Sequence, residues 1–404
     1  MVSIHYLYLM EKIYNKLCLL FFVVFAMAGA SCGSSQGDLP CIDVHKNYPE
    51  KEILITDIAE VSYLHLNSDD DAYLYKGGIN SITKNTVVVY DNASGSVLFF
   101  SKDGSPKSRF NRRGRGGEEY LGSLRVIYDE LADEVFVVNF GSDSFSDFIQ
   151  VYSSTGKHKR KIVLQDLDIG SVISFDEQSL LVYDSRFETM RNMEKLGITS
   201  FSIEYDHSPF FLISKTDGSI LDYIEVPHKD IMLSINNNNT SWFPPRRVTK
   251  SPGGVYLCNP ETDTVFHYGK DKILRPVICK TPLVDALDPM VILNNCIDAG
   301  GYQFLELISL IKEDRKRLSE YFIRDKTTGE IFRQKLILPE YKGKEFFSGL
   351  FRVNIDYENG TYFVLDLLEL KQAYTENRLS GKLKDLVATL KEDDNDVYVM
   401  LQFK

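Results

Sequence analysis

The feature that most constrains the fold is a strand, turn and strand unit that returns along the chain at near-regular intervals. Its clearest copy is Ser96-Val97-Leu98-Phe99-Phe100-Ser101, the turn Lys102-Asp103-Gly104-Ser105 and the returning Pro106-Lys107-Ser108-Arg109-Phe110. Asp-Gly accepts the positive φ angles that tight hairpin turns demand, so the segment reads as a β-hairpin. Further copies turn at Thr155-Gly156, Asp217-Gly218, Gly269-Lys270-Asp271 and Thr328-Gly329, each after an apolar strand. Turn positions 104, 156, 218, 271 and 329 lie 52, 62, 53 and 58 residues apart. Each hairpin follows two more strand-like runs, such as residues 79–83 and 86–91 before the first. Four strands per repeat at this spacing predict the blades of a β-propeller of the longer type.

The repeats set the number of units. Residues 51–404 allot about 59 residues to each of six blades; seven blades would leave about 51, too short for most of the intervals. The expected fold is therefore all-β, a six-bladed β-propeller over residues 51–404. Residues 61–66 are expected to close the ring by pairing with 397–403, since an N-terminal strand joined to the last blade removes the exposed edges of an open array. Residues 367–390 break the β rhythm. Leu367, Leu370, Ala373 and Tyr374, then Leu379, Leu383, Leu386 and Leu390, recur at helical spacing, so one or two helices are expected as an insertion in the last blade. They either cover a blade edge or dock a partner.

The N-terminus reads differently. Lys12 and Lys16 precede the apolar run 17–28, which is too short to span a bilayer but suits a signal-peptide core. Residues 1–31 are expected to be a signal peptide and 32–50 a flexible tether. Gly29-Ala30-Ser31 leads into Cys32, and these residues resemble the lipobox of bacterial lipoproteins, with Gly29 where Leu is most common. That resemblance implies lipid attachment at Cys32. Of the remaining cysteines after processing, Cys41, Cys258, Cys279 and Cys296 follow no zinc or compact disulfide spacing. They are buried small side chains, or one pairs with another.

Composition limits the partners. The net charge is −11, against a nucleic-acid ligand, whose binding needs clustered Lys and Arg. The same balance argues against a peripheral membrane surface, which leaves the N-terminal lipid as the membrane contact. Twenty-three Tyr and 25 Phe against a single Trp fit pleated, half-buried strands.

The phrase from Val97 to Gly104, followed by Phe110-Asn111-Arg112-Arg113-Gly114-Arg115-Gly116-Gly117-Glu118-Glu119-Tyr120, resembles the blade signature of the six-bladed, NHL-like β-propeller lipoproteins of Bacteroides-type bacteria. So does the ending Asp393-Asp394-Asn395-Asp396-Val397-Tyr398-Val399-Met400-Leu401-Gln402-Phe403-Lys404. These families commonly have Gly-Pro-Gly-Glu-Tyr where this chain has Gly116-Gly117-Glu118-Glu119-Tyr120. The resemblance spans residues 45–404 and implies a monomeric fold in the cell envelope, anchored to the outer membrane; it implies no particular activity.

Two clusters could bind a ligand. Arg112, Arg113 and Arg115 on a glycine frame either grip a carboxylate, sulfate or phosphate, or serve the blade-to-blade crossover. Trp242 with Arg246 and Arg247 either stacks on a sugar or aromatic ligand, or anchors a loop. Asp69-Asp70-Asp71 and Glu392-Asp393-Asp394-Asn395-Asp396 match no calcium loop and read as solvated turns. The seven His are scattered, so no zinc site, cofactor or catalytic residue is expected. The expected role is a non-catalytic envelope module that binds an unknown glycan, peptide or envelope protein. The alternative is an envelope hydrolase or lyase with its site at the central channel mouth.

Overall fold

Each repeat folds into one antiparallel sheet whose strands run in chain order from inside to outside. A computed structural model describes residues 39–139, 148–164, 167, 169–185, 208–227, 247–259, 262–311, 316–352, 357 and 359–404. Sheet I comprises Gly77–Ile82, Thr86–Asp91, Ser96–Ser101 and Pro106–Asn111. Sheet II comprises Ser123–Asp129, Glu134–Asn139, Phe148–Tyr152 and His158–Val163, and sheet III Ile169–Ser174, Ser179–Asp184, Phe210–Ser214 and Ile220–Tyr223. Sheet IV holds Val248–Ser251, Gly254–Cys258, Thr264–Gly269 and Leu274–Thr281. Sheet V holds Met290–Ala299, Tyr302–Ile311, Lys316–Asp325 and Ile331–Ile337, with Glu345–Phe346 paired to the last of these. Sheet VI joins Gly360–Leu365 to Val397–Phe403. The chain is an all-β propeller.

The segment before sheet I runs along the outer edges of three sheets. Strand β1 (Cys41–Asp43) adds in parallel to Leu274–Thr281 of sheet IV. Strand β2 (Glu50–Leu54) adds in parallel to Ile331–Ile337 of sheet V. Strand β3 (Ala59–His65) then pairs antiparallel with Val397–Phe403, from Phe403 opposite Ala59 to Val397 opposite His65. The expected closing strand is thus present. Sheet structure begins at Cys41, inside the segment read as tether, because β1 is stitched to sheet IV by a Cys41–Cys279 disulfide as well as by main-chain bonds. Residues 1–38, with Cys32 and the signal-peptide reading, lie outside the described residues.

Alternation within each second strand decides how the sheets pack. Val87 and Val89 face one neighbour while Val88 and Tyr90 face the other, so Thr86–Asp91 is buried on both faces. Apolar clusters formed this way join I to II around Phe99 and Val137, II to III around Phe136 and Val182, and III to IV around Phe210 and Leu257. They continue from IV to V around Cys258 and Leu305, and from V to VI around Phe304 and Phe363. A further cluster, with Leu64, Tyr362, Met400, Ile79 and Phe100, returns from VI to I. Truncating a fully buried phenylalanine such as Phe136 in these clusters costs about 3–5 kcal/mol.

The hairpin turns complete the contacts. A Cβ placed on Gly156 would meet Phe110 on the outer strand of sheet I, and one on Gly218 would meet Ile162 on that of sheet II. Gly104 stands in the same relation to His65 of β3. Strand β3 therefore serves sheet VI as Pro106–Asn111 serves sheet I. The two acidic runs meet at this junction: Lys391 pairs with Asp69 (3.2 Å), the Ser68 hydroxyl donates to Asp394 (2.9 Å), and Asn395 donates to the Leu66 carbonyl (2.9 Å). Helices α1 (Leu367–Thr375) and α2 (Gly381–Thr389) lie between the two C-terminal strands of sheet VI. Asp366 caps α1 through the Glu369 N–H (2.9 Å), and Leu370, Leu383 and Val387 are buried in the cluster between sheets V and VI.

Candidate functional site at the end with the long connections

Antiparallel order places connections alternately at the two ends of a sheet. First-to-second and third-to-fourth connections lie at one end and are short, as at residues 83–85, 102–105, 252–253 and 326–330. Second-to-third connections and sheet-to-sheet crossovers lie at the other end. The described strands that flank residues 66–76, 112–122, 185–209, 224–247 and 366–396 stop and resume there. Long connections on a rigid scaffold are where binding groups concentrate. Arg112, Arg113, Arg115 and Arg247, the described residues among those picked from the sequence as ligand-binding, fall in connections of this end.

The glycine frame carries its own anion. The Glu119 carboxylate accepts from the Gly116 N–H (2.7 Å), in the position that an external oxyanion would take. The frame is held on both sides. Tyr120 donates its hydroxyl proton to the Gly95 carbonyl (2.7 Å), Tyr152 to that of Glu118 (2.7 Å), and Gln150 Nε2 to that of Gly117 (2.9 Å). Arg112 Nε donates to the Gly156 carbonyl of the next sheet (3.0 Å). Arg113 bridges the Leu121 and Ala93 carbonyls, each at 3.1 Å. Two of the three guanidiniums thus tie the crossover to its surroundings, while Arg115 is exposed.

Trp242 and Arg246 lie outside the described residues. Arg247 is buried between sheets III and IV, with its guanidinium 5.0 Å from the Tyr183 ring centre and Nη1 donating to Asn259 Oδ1 at 3.4 Å. Burial pushes the neighbouring Cys258 thiol up to about 12; Arg247 opposes that rise and Glu306 adds to it. Glu306 accepts from Asn294 Nδ2 (2.7 Å), so these groups form a buried polar layer.

Sheets VI, I and II are joined at their inner strands by hydrogen bonds that the sequence reading missed. Tyr362 of sheet VI donates its hydroxyl proton to the Ile79 carbonyl on the inner strand of sheet I (2.9 Å). The next residue, Asn80, accepts through Oδ1 from the Val126 N–H on the inner strand of sheet II (3.0 Å). The Ile79–Asn80 step therefore bridges sheets VI and II. Arg125 precedes Val126, and Arg352 donates its N–H to the Tyr362 carbonyl (2.8 Å). Burial raises the Tyr362 hydroxyl to about 12, opposed by the charges of Arg352 and Arg125. Arg352 is exposed, and a Cβ added to the adjoining Gly78 would meet nothing within 4 Å.

One signal for this end was present in the sequence. Asp91, Asn139, Asp184, Asn259 and Asp366 each stand at or just after the end of a second strand. Asp91 accepts from the Lys76, Ala93 and Ser94 N–H groups, Asn139 from the Leu121 N–H, and Asn259 donates to the Pro227 carbonyl. This recurring acid or amide fastens crossovers at the ends of second strands. Burial alone would raise the Asp91 carboxyl, but these N–H groups and the Ser94 hydroxyl outweigh it and hold the carboxyl below its ordinary value.

Residues 32–217 match the model of a family described as a 6-bladed beta-propeller. A Bacteroides fragilis protein named only as exported is 15% identical, with a TM-score of 0.59 over 88% of this chain and 99% of that chain. A Bacteroides vulgatus protein is 11% identical, with a TM-score of 0.47 over 86% and 97% of the two chains. A catalytically inactive virginiamycin B lyase from Staphylococcus aureus, crystallised with quinupristin, is 9% identical, with a TM-score of 0.38 over 85% and 99%. No curated protein matches the sequence. No helix among the described residues is long and apolar enough to cross a membrane.

Proposed function

From the premise that this chain is a β-propeller of the Bacteroides type, we propose that it is a six-bladed envelope module binding a ligand at the end with the long connections. The carrying observation is the division between the two ends. Among the described residues, one end is closed by turns of two to five residues, whereas the strands flanking the extended connections end at the other, around inner strands bearing Arg125 and Arg352. These are groups that hold and orient a ligand. The ligand is a glycan, a peptide or part of another envelope protein. Cys32 carries the lipid that retains a monomeric propeller at the outer membrane, and α1 and α2 are an insertion in the last blade. The reading as a hydrolase or lyase would require an acid and base pair at this same mouth.

Hydrogen exchange on the full-length protein tests this reading, comparing its native envelope fraction with the purified form. Extra protection of residues 77–80 and 120–126 in the envelope is expected. Protection confined to residues 102–105 and 326–330 would place the partner at the opposite end and overturn the assignment. Acyl labelling that persists in Cys32→Ala would overturn the anchor.

A further inference from the structure

We infer that the outer edge of sheet III is the face this protein sets against the lipid bilayer. The inference rests on the reading of Cys32 as the acylated residue. Three strands of the N-terminal segment lie at the outer sides of successive sheets, β1 on sheet IV, β2 on sheet V and β3 on sheet VI. They begin at Cys41, Glu50 and Ala59, nine residues apart each time. The same step back from Cys41 reaches Cys32, and the next sheet in that direction is III. Length makes this a tight constraint. Nine residues span about 30 Å when fully extended, and Cys41 is pinned to Cys279 on the outer strand of sheet IV by the disulfide and by parallel pairing. An acyl chain on Cys32 therefore keeps the bilayer within reach of the outer edges of sheets III, IV and V.

Chemistry separates those three edges. Strand β2 covers sheet V with Glu50, Lys51 and Glu52, and Lys335 pairs there with Glu345 (2.9 Å). Strand β1 covers sheet IV from Cys279 to Thr281. Sheet III has no added strand among the described residues. Its outer strand, Ile220–Tyr223, leaves Ile220 42%, Leu221 50% and Tyr223 37% exposed. The one charge on that strand, Asp222, accepts from the Tyr268 hydroxyl of sheet IV (3.4 Å). The turn after Tyr268 adds Ile273, 51% exposed. Sheets I and II are built differently, with Pro106, Lys107 and Arg109 on one outer strand and Lys159, Arg160 and Lys161 on the other, the proline and charges that keep an edge in water. An apolar edge carrying a tyrosine suits the membrane interface, where the phenol stays at headgroup level. Such a contact is apolar, so the net charge of −11 does not oppose it. With its circumference toward the lipid, the propeller leaves the mouth with the long connections open to solvent.

The test is fluorescence of the acylated full-length protein in vesicles of phosphatidylethanolamine and phosphatidylcholine, with and without nitroxide-labelled lipid. An environment-sensitive fluorescent residue is placed at position 221, 52 or 109 in separate variants. Position 221 is expected to shift its emission to the blue on reconstitution and to lose it to the nitroxide. Positions 52, on β2, and 109, on the outer strand of sheet I, should keep theirs. A loss at 52 or 109 as large as that at 221, or none at 221, overturns the inference. So does blue-shifted emission at 221 in the Cys32→Ala protein without vesicles, which would mean that the N-terminal segment or a second copy covers the edge. Acyl labelling of the same samples separates the two failures. A labelled protein with no loss at 221 sinks this face alone, whereas absence of a Cys32-dependent label removes the anchor and the face with it.

Discussion

Replacing Gly104 with alanine, beside the same change at Gly329, isolates the contact by which the N-terminal strand closes the ring. Both glycines occupy hairpin turns between third and fourth strands, with φ of +89° and +77°. An alanine in either carries the left-handed penalty of about 1–2 kcal/mol. Surroundings separate them. A Cβ on Gly329 would meet nothing within 4 Å, whereas one on Gly104 would stand 2.0 Å from the His65 carbonyl oxygen and 3.4 Å from Leu64 Cδ1. The turn must then move off β3, giving up the bond from the Asn67 N–H to the Gly104 carbonyl (3.0 Å), which is worth about 1 kcal/mol. Overpacking against the closing strand adds about 1–3 kcal/mol. Gly104→Ala should therefore cost about 3–6 kcal/mol and Gly329→Ala about 1–2 kcal/mol, read as shifts in urea midpoint at constant slope. Equal shifts would refute the claim that β3 packs on this turn as the outer strand of the last sheet.

Other perturbations probe the remaining joints. Cys41→Ala with Cys279→Ala opens a link across 238 residues, and denaturant melts should show a loss of about 2–5 kcal/mol; an unchanged midpoint would contradict a stitched β1. Lys280→Met leaves Asp263 buried without the ammonium now 2.7 Å away and should destabilise the fold by about 3–5 kcal/mol, whereas Lys280→Met with Asp263→Leu should recover much of that loss in the same melts. Burial holds the His65 imidazole below its ordinary pKa of 6.5, against the opposing pull of Asp394 and Asp69. Folding therefore favours neutral His65, so its contribution is full above pH 6.5 and falls as the pH drops from there through the folded-state pKa. His65→Gln should flatten that part of the stability profile measured between pH 7.5 and 5.

The turns were legible because their chemistry is local. Gly104, Gly156, Gly218 and Gly329 all take positive φ, and at the fourth repeat Lys272 does so at +58° where no glycine stands. The closing strand was legible too, since an apolar N-terminal strand and an apolar C-terminal strand each lack a neighbour in sequence. Strand β1 was not, nor was the parallel pairing of β2, of which Ile53 and Leu54 already read as strand-like. Short parallel additions such as Glu-Lys-Glu-Ile-Leu acquire their meaning from an edge about 280 residues away, as the register of Glu50 with Arg333 shows. Pairing of Cys41 with Cys279 was hidden for the same reason.

At the candidate site, the clustered arginines follow the crossover alternative of the sequence reading. Arg112 and Arg113 stand together because a crossover has several carbonyls to satisfy, and Glu119 fills the glycine frame that was to hold a ligand. Arg125 and Arg352 are 227 positions apart and look unremarkable as strand residues. Hydrogen bonds converging on Ile79 and Asn80 join the sheets that carry them. The Asp or Asn recurring at the end of five of the second strands was visible, but its role becomes clear only once strand order assigns connections to ends.

Photo-crosslinking in cells tests the central claim most directly, with a photoreactive residue placed at position 352 in one variant and at Thr327, in a short turn of the opposite end, in another. Covalent capture of a ligand or partner from position 352, with none from 327, is the predicted result. Capture from 327 and none from 352 would contradict it.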